Sequence, residues 1–263
     1  MQWMKYRLIY FLISALIIGA GIYSYLTWGL KFGIDFTGGI VAEYKLQSGE
    51  SKILKFGPLP PEESEKIRLD FKSQGAEEIR FESVGPTIGP DLIKKTGYAM
   101  AIASGLILLW IAIQFKSLKF GISATLATLH DTLVLLGSFA LLGHFFGAEI
   151  DFLFVTAMLT VLSFSVHDTI VVYDRIRETK KKAGGELVDI ANKAISETMV
   201  RSLNNSFTII FMLIALILLG GETIKWFAVA LLIGTISGTY SSPFVAVPLL
   251  VTWDLLQKKL KRN

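Results

Sequence analysis

The sequence contains no cysteine, and this excludes disulfides, cysteine-based zinc sites and thiol nucleophiles. It has only three histidines, His130, His144 and His167, and their spacing is not that of a zinc site. It also lacks a phosphate-binding P-loop, a G-x-S-x-G nucleophile motif and a dinucleotide-binding glycine fingerprint. The sequence therefore predicts a protein that is not an enzyme and that needs no metal or cofactor.

Charge is also scarce, because 18% of the residues are charged whereas 52% are hydrophobic and the mean hydropathy is +0.54. Much of this hydrophobicity lies in apolar runs long enough to cross a hydrocarbon core of about 30 Å. The first run is too long for the core of a cleaved signal peptide, so we expect it to be retained. The sequence predicts a mainly α membrane protein with six transmembrane helices, at about 8–27, 97–115, 120–144, 152–173, 203–220 and 226–251.

Lysine and arginine are unevenly distributed over the connections between these spans, and this predicts the orientation. The N-terminal residues, the loop at 116–119, the segment after the fourth span and the C-terminal tail are basic. The short loops on the other side contain only Lys225. Both termini are therefore predicted to be cytoplasmic. Basic residues beside apolar runs also indicate contact with membrane lipid at an interfacial anchor, and not with nucleic acid.

The polar segment between the first two spans is predicted to be a small extracytoplasmic α/β domain. GIVAEYKL alternates in the manner of a strand, and Lys52–Phe56 and AEEIRFESV are further candidates. The run PPEESEKIRLDFKSQG begins with proline and acids and ends on glycine, as helices do. The predicted organisation is a first helix at 1–27, the outer domain at 28–96, a five-helix bundle at 97–251 with a cytoplasmic amphipathic loop at 174–202, and a basic tail at 252–263.

Ionisable residues within the spans are the main functional candidates. Asp131 and Asp168 lie near the middle of their spans, His167 precedes Asp168, and Arg201 opens the fifth span. A carboxylate at mid-bilayer costs about 2.5–3.5 kcal/mol on insertion scales, so it normally faces the bundle and marks a pathway. Burial favours the neutral acid and a nearby arginine favours the carboxylate. A group between these influences, such as Asp168, is predicted to load and release a proton.

Each of these residues also has a structural alternative. Asp168 and Arg201 could form a fixed ion pair that sets helix register. Asp131 could simply hydrogen-bond a neighbouring helix, and His167 could be an interior imidazole with satisfied hydrogen bonds. The small residues of the sixth span, from Gly234 to Ser242, are typical of close helix packing.

Three motifs resemble the SecD/SecF family of protein-export membrane proteins, within the RND superfamily. GIDFTGG follows the first span, ESVGPTIGPDL precedes the second, and SFSVHDTIVVYDRIRE occupies the fourth. The last motif, the six spans and the single outer domain resemble the SecF branch in particular. The motif residues that carry the resemblance are Gly33, Asp35, Thr37, Gly38, Gly39, Asp174 and Arg175.

The resemblance implies an RND-like half bundle in the cytoplasmic membrane that pairs with a SecD-like subunit and associates with the SecYEG channel. It also implies late-stage export of a translocating unfolded polypeptide, driven by a proton or sodium gradient. Asp168 matches the ion-path residue of the family, and Arg201 matches its basic partner. The family usually has asparagine where this chain has His167, and a titratable neighbour could change the ion. A passive assembly subunit and an RND-type exporter of small molecules remain as alternative functions.

Overall fold

The computed structural model describes residues 1–45, 51–73, 75, 77–85 and 88–260. A 3-10 turn at Trp3–Tyr6 precedes the first helix. The helices and strands, in chain order, are α1 (Arg7–Trp28), α2 (Ile34–Thr37), β1 (Gly39–Lys45), β2 (Ser51–Phe56), α3 (Pro61–Ser73), β3 (Glu77–Val84), α4 (Ile88–Phe115), α5 (Leu118–Phe146), α6 (Phe152–Ala183), α7 (Leu187–Leu219), α8 (Glu222–Ser241) and α9 (Val247–Leu260), with a π-helical turn at Ser242–Ala246 between the last two.

Within the described residues, six helical segments are long and apolar enough to cross a membrane, which confirms the predicted multi-pass, mainly helical membrane protein. Several helices extend beyond the predicted spans, because the apolar run marks only the part of a helix that lies in lipid. In particular, α6 continues to Ala183 and α7 already begins at Leu187. Most of the segment at 174–202 therefore belongs to the ends of these two helices. Gly184 and Gly185 form the turn between them with positive φ angles.

One compact unit comprises Phe32–Ala99 together with Glu149–Phe152, and because it contains most of the predicted outer domain we call it the outer unit. Its three strands form an antiparallel sheet in the order β2-β1-β3, which confirms the predicted small α/β domain. Ile40, Ala42 and Tyr44 alternate along β1 and are buried, and the ring of Tyr44 stacks on Phe71 of α3 with 4.5 Å between centroids. Positions 46, 74, 76, 86, 87 and 261–263, which the predicted motifs, elements and basic tail include, lie outside the described residues.

One ion pair joins α3 to β3 within the outer unit. The guanidinium of Arg68 donates from Nε and Nη2 to the two carboxylate oxygens of Glu78, each at 2.6 Å. These hydrogen bonds hold the pKa of Glu78 below its usual value. The pair is partly exposed, so it contributes little to stability but fixes the helix against the edge of the sheet.

The GIDFTGG motif has a structural role in the outer unit. The backbone N–H of Gly33 donates to the carbonyl of Ile150 at 2.8 Å, and Asp35 Oδ2 accepts from the backbone N–H of Phe152 at 2.8 Å. Gly39 has a φ of 136°, and a Cβ there would lie 2.5 Å from the carbonyl oxygen of Phe56. Only glycine fits this position, because a side chain would be both strained and in collision. The motif thus fixes the start of β1 against the segment that follows α5.

The membrane unit comprises Met1–Lys31, Met100–Ala148 and Leu153–Asn263. Its centre is formed by α5, α6 and the α8–α9 span. In the most apolar stretch of each of these spans, 56% of the residues are buried. The share is 11% in α1 and α4 and 17% in α7. Many polar side chains on the central helices are therefore enclosed by protein, and the candidate site lies among these buried ones.

Candidate functional site

Asp131 of α5 lies at the centre of a hydrogen-bonded cluster and is fully buried. Its Oδ2 accepts hydrogen bonds from the hydroxyls of Ser165 and Ser241, each at 2.6 Å. Its Oδ1 accepts from the hydroxyl of Ser237 at 2.6 Å and lies 3.0 Å from Nδ1 of His130. Both carboxylate oxygens are thus held by groups from α6, α8 and α5 itself.

The sequence of α8 explains how the cluster forms. Ser237 and Ser241 are four residues apart, so both hydroxyls face Asp131 from the same side of the helix. Gly234 lies on the same helix, and a Cβ there would come within 2.0 Å of Cγ2 of Val161 on α6. The small residues of α8 therefore do two things: they let α6 approach closely, and they supply the hydroxyls that bind the carboxylate.

Asp168 lies one turn along α6 from Ser165 and is 7% exposed. Its Oδ1 accepts a hydrogen bond from the hydroxyl of Ser202 on α7 at 2.7 Å, whereas Oδ2 has no hydrogen-bond partner among the described residues. Next to it, the hydroxyls of Thr169 and Ser242 are 3.0 Å apart, and Ser242 also donates to the carbonyl of Ser165 at 3.3 Å. Polar contacts thus connect the surroundings of Asp168 with those of the α5 cluster.

Arg201 and His167 are both exposed, and neither forms an ion pair or a hydrogen bond with Asp168 in the described part of the chain. Both are nevertheless its near neighbours, because His167 precedes Asp168 in the chain and Arg201 precedes Ser202, which donates to the Asp168 carboxylate. The arrangement differs from a fixed Asp168–Arg201 ion pair and from an interior imidazole at His167. The geometric reason is that successive helical residues are about 100° apart, so His167 faces outward where Asp168 faces inward.

Exposed polar residues follow one another at helical spacing along α6 and along α7, two helices joined by the Ser202–Asp168 hydrogen bond. We call this set of residues the α6–α7 polar face. Polar side chains at membrane depth normally face protein or a water-filled cavity, because exposure to lipid is costly. Lipid is therefore a poor environment for this face. Its members are Thr156, Thr160, Ser163 and His167 on α6 and Arg201, Asn204, Asn205 and Thr208 on α7.

The motif residues Asp174 and Arg175 lie apart from the two buried carboxylates. Arg175 donates to Glu178 at 2.6 Å and to Glu197 of α7, and Asp174 accepts from Arg177 at 2.7 Å. The pair of Arg175 with Glu197 joins the end of α6 to α7, whereas the other two pairs lie within α6. The sequence did not indicate Glu197, the partner of Arg175, or Ser202, the hydrogen-bond donor to Asp168. Only the packing of α6 against α7 brings each of them to its partner.

The described residues contain no group of three or more histidine, aspartate or glutamate side chains arranged to hold a metal ion. The polar cluster is instead built from carboxylates and hydroxyls. Such a set can accept, hold and pass a proton, because each hydroxyl is both a donor and an acceptor.

Comparison with known proteins connects this geometry to protein export. A family model described as "Protein export membrane protein SecD/SecF, C-terminal" matches residues 64–255, and a "SecD/SecF GG Motif" model matches residues 28–50. The Protein translocase subunit SecF of Thermobaculum terrenum is 42% identical over 95% of this chain and 93% of its own length. That of Vibrio alginolyticus is 33% identical over 99% of this chain and 91% of its own.

Solved structures agree with these relatives. The crystal structure of SecDF from Thermus thermophilus, described as a translocon-associated membrane protein, matches 97% of this chain with a TM-score of 0.85 and 28% identity. SecDF in its super-membrane-facing form matches with a TM-score of 0.76 and the same identity. This chain spans about 40% of the length of those solved chains.

Proposed function

Since the chain belongs to the SecF branch of the SecD/SecF family of protein-export membrane proteins, we propose that it couples an ion gradient to late-stage polypeptide export. The gradient would be one of protons or sodium across the cytoplasmic membrane. In this proposal both termini are cytoplasmic and the outer domain at 28–96 lies on the far side, where it touches the emerging unfolded polypeptide. The strong bias of lysine and arginine toward one side supports this orientation.

The observation that carries the proposal is the unequal hydrogen bonding of the Asp168 carboxylate. One oxygen is held by Ser202, and the other is without a hydrogen-bond partner among the described residues. A buried polar atom without a partner is costly, so it gains when it binds a proton or a cation. Asp168 lies beside the α6–α7 polar face, because His167 precedes it in the chain and Arg201 precedes its hydrogen-bond partner Ser202. We assign the loading of the ion to Asp168.

Asp131 has the complementary role in this proposal. Its oxygens are already occupied by three serine hydroxyls, so it responds to Asp168 through the helices that carry them. A change in the charge of Asp168 alters the hydrogen bonds around Ser242 and Ser165, and these touch the cluster of Asp131. Hydrogen-bonded chains in a low dielectric polarise one another, which suits the transfer of a small charge change from one helix to the next.

We further propose that a SecD-like subunit covers the α6–α7 polar face and that the pair acts with the SecYEG channel. The solved SecDF chains, which are much longer than this one, support a second half beside it. The exposed polar side chains at membrane depth support its placement, because lipid is a poor environment for them.

A passive assembly role is the second candidate function. The saturated hydrogen bonding of Asp131 favours it, because a carboxylate held on every side is suited to fixing helix positions. In that case Asp168 would fix α7 through Ser202 in the same way. An exporter of small molecules is less well supported, because the relatives are named as translocase subunits.

The test is a pulse-chase measurement of secreted-protein export in cells depleted of their own SecF and supplied with this chain and its SecD-like partner. Wild type is compared with Asp168→Asn, which cannot take up a proton, and with Asp168→Glu, which can. Asp189→Asn is a matched control, because Asp189 is exposed near the start of α7 and its substitution removes one carboxylate, as Asp168→Asn does. Membrane levels of every variant are measured in parallel.

We expect Asp168→Asn to lose the part of export that depends on the ion gradient, a drop of at least tenfold in rate, at unchanged membrane levels. Asp168→Glu should retain part of it, and Asp189→Asn should behave as wild type. Normal export by Asp168→Asn would contradict ion coupling and leave the passive role as the better account.

A further inference from the structure

A basic cavity of about 590 Å³ lies where α4 ends, α5 begins and α6 ends, with α9 on one side. It belongs to the membrane unit and is separate from the buried carboxylates. Five of its lining residues are cationic, namely Lys116, Lys119, Arg177, Lys180 and Lys181, and one lining residue, Asp254, is anionic. The cavity thus has a strong excess of positive charge.

Much of this positive charge is not neutralised within the chain. Asp254 pairs with Lys119 at 3.0 Å, and Arg177 pairs with Asp174. The other three lining lysines, Lys116, Lys180 and Lys181, are exposed and form no ion pair among the described residues. Three unpaired ammonium groups around one cavity repel one another. A bound anion would relieve this repulsion, so the cavity attracts anions.

The backbone at Lys116 gives a second indication of function. Lys116 makes the turn between α4 and α5 with a φ of 50°, and it is the one non-glycine residue with positive φ among the described positions. Glycine or asparagine would adopt this left-handed conformation at lower cost. The strain places a cationic side chain at the edge of the cavity, and strained backbone of this kind is concentrated at functional sites.

The floor of the cavity is apolar and rigid. Phe115 and Phe120 stack with 5.1 Å between centroids, and the guanidinium of Arg177 lies 5.1 Å from the centre of the Phe115 ring. Leu187 and Leu250 continue this floor. A small soluble anion would occupy only the cationic rim and leave the floor in contact with water. An amphiphile would satisfy both parts.

We propose that this basic cavity binds the headgroup of an anionic phospholipid, with the phosphate at the lysines and the upper acyl chains against the aromatic floor. The cavity lies at the polar ends of three membrane spans, which is the depth at which headgroups are found. Basic pockets between transmembrane helices are suited to such headgroups. A bound lipid would hold the α4–α5 turn against α6 and α9.

The proposal can be tested on the purified full-length chain in mild detergent by native mass spectrometry. Dioleoyl phosphatidylglycerol and zwitterionic dioleoyl phosphatidylcholine are titrated separately, and glycerol 3-phosphate is added as a competitor to represent the headgroup without chains. The test variant replaces Lys116, Lys180 and Lys181 with glutamine. The matched control replaces Lys5, Lys193 and Lys259, which are exposed and lie outside the cavity, and so has the same net charge.

We expect phosphatidylglycerol to bind wild type and the control with equal affinity and to bind the test variant about fivefold more weakly for each lysine removed. Phosphatidylcholine should bind wild type, control and test variant much more weakly than phosphatidylglycerol binds wild type. Equal binding of the two lipids, or equal loss in the control, would overturn the proposal. Displacement of phosphatidylglycerol by equimolar glycerol 3-phosphate would also overturn it, because the site would then be one for a soluble phosphate.

Discussion

At the scale of single residues, the two buried carboxylates of the membrane unit have different surroundings. Asp131 has hydrogen-bond partners at both oxygens, whereas Asp168 has one at Oδ1 only among the described residues. The two residues are similar in type and depth, but one is fixed and the other retains a free acceptor. In the proposed mechanism, this contrast separates a residue that holds helices together from the one to which we assign the loading of the ion.

Replacing Asp131 with alanine is therefore expected to destabilise the membrane unit more than replacing Asp168. Three interhelical hydrogen bonds are lost, and at about 0.6–1.7 kcal/mol each in a membrane this amounts to roughly 2–5 kcal/mol. Asp168→Ala loses one such bond. The measurement is thermal unfolding of the full chain in mild detergent, with Asp189→Ala as the surface control. Equal loss of stability in both carboxylate variants would contradict the assignment of separate roles.

At the scale of helices, the contact between α6 and α8 depends on the absence of a side chain at one position. A Cβ at Gly234 would lie 2.0 Å from Cγ2 of Val161 and 2.8 Å from its Cβ. The close approach brings the serine hydroxyls of α8 within reach of α5 and α6. The packing of these helices and the binding of the Asp131 carboxylate are therefore a single arrangement.

Gly234→Ala is expected to push α8 away from α6 and to cost about 1–3 kcal/mol, which is typical of an overpacked core. Gly105→Ala is a matched control, because Gly105 lies on α4 with nothing within 4 Å of its Cβ position. Adding Val161→Ala to Gly234→Ala removes the two nearest methyl groups and should restore part of the stability. The loss and recovery are measured by thermal unfolding of the full chain. If the double variant is no more stable than Gly234→Ala, the contact is not the cause.

Much of this arrangement could be predicted from the sequence, and the limits have physical reasons. Apolar runs predicted the six spans. They also predicted mid-depth positions for Asp131 and Asp168, because the position of a residue within a run that spans the bilayer determines its depth. The serine partners could not be assigned, since a hydroxyl reaches a carboxylate only at one rotation and separation of two helices. The helix ends in the segment at 174–202 were also not predictable, because polar helical turns outside lipid lack an apolar run.

At the scale of the whole molecule, the membrane unit completes its own core but leaves the α6–α7 polar face exposed. The buried network lies within α5, α6, α7 and α8 of this one chain. The α6–α7 polar face presents hydroxyls, amides, an imidazole and one arginine where an isolated chain would meet lipid. This combination is expected of one half of a paired assembly, in which each half folds first and docks afterwards.

Leucine at two positions of this face, Ser163→Leu with Asn204→Leu, should abolish most co-purification with a SecD-like subunit and leave thermal stability of the chain unchanged. Apolar side chains there favour lipid over a polar partner. The control places leucine at Gly19 and Gly105, two exposed positions on α1 and α4. A Cβ at either position would have nothing within 4 Å. Undiminished co-purification of the Ser163 and Asn204 variant would show that the partner binds elsewhere.

The exposed polar face also has a consequence for how much of this protein a cell contains. A copy without its partner would keep arginine and amide groups against lipid, where they are costly, and cellular proteases remove proteins of low stability. Copies made in excess would be degraded, and paired copies would persist. The abundance of this chain would then follow the supply of its partner instead of its own rate of synthesis, so the stoichiometry of the pair would be maintained without matched expression.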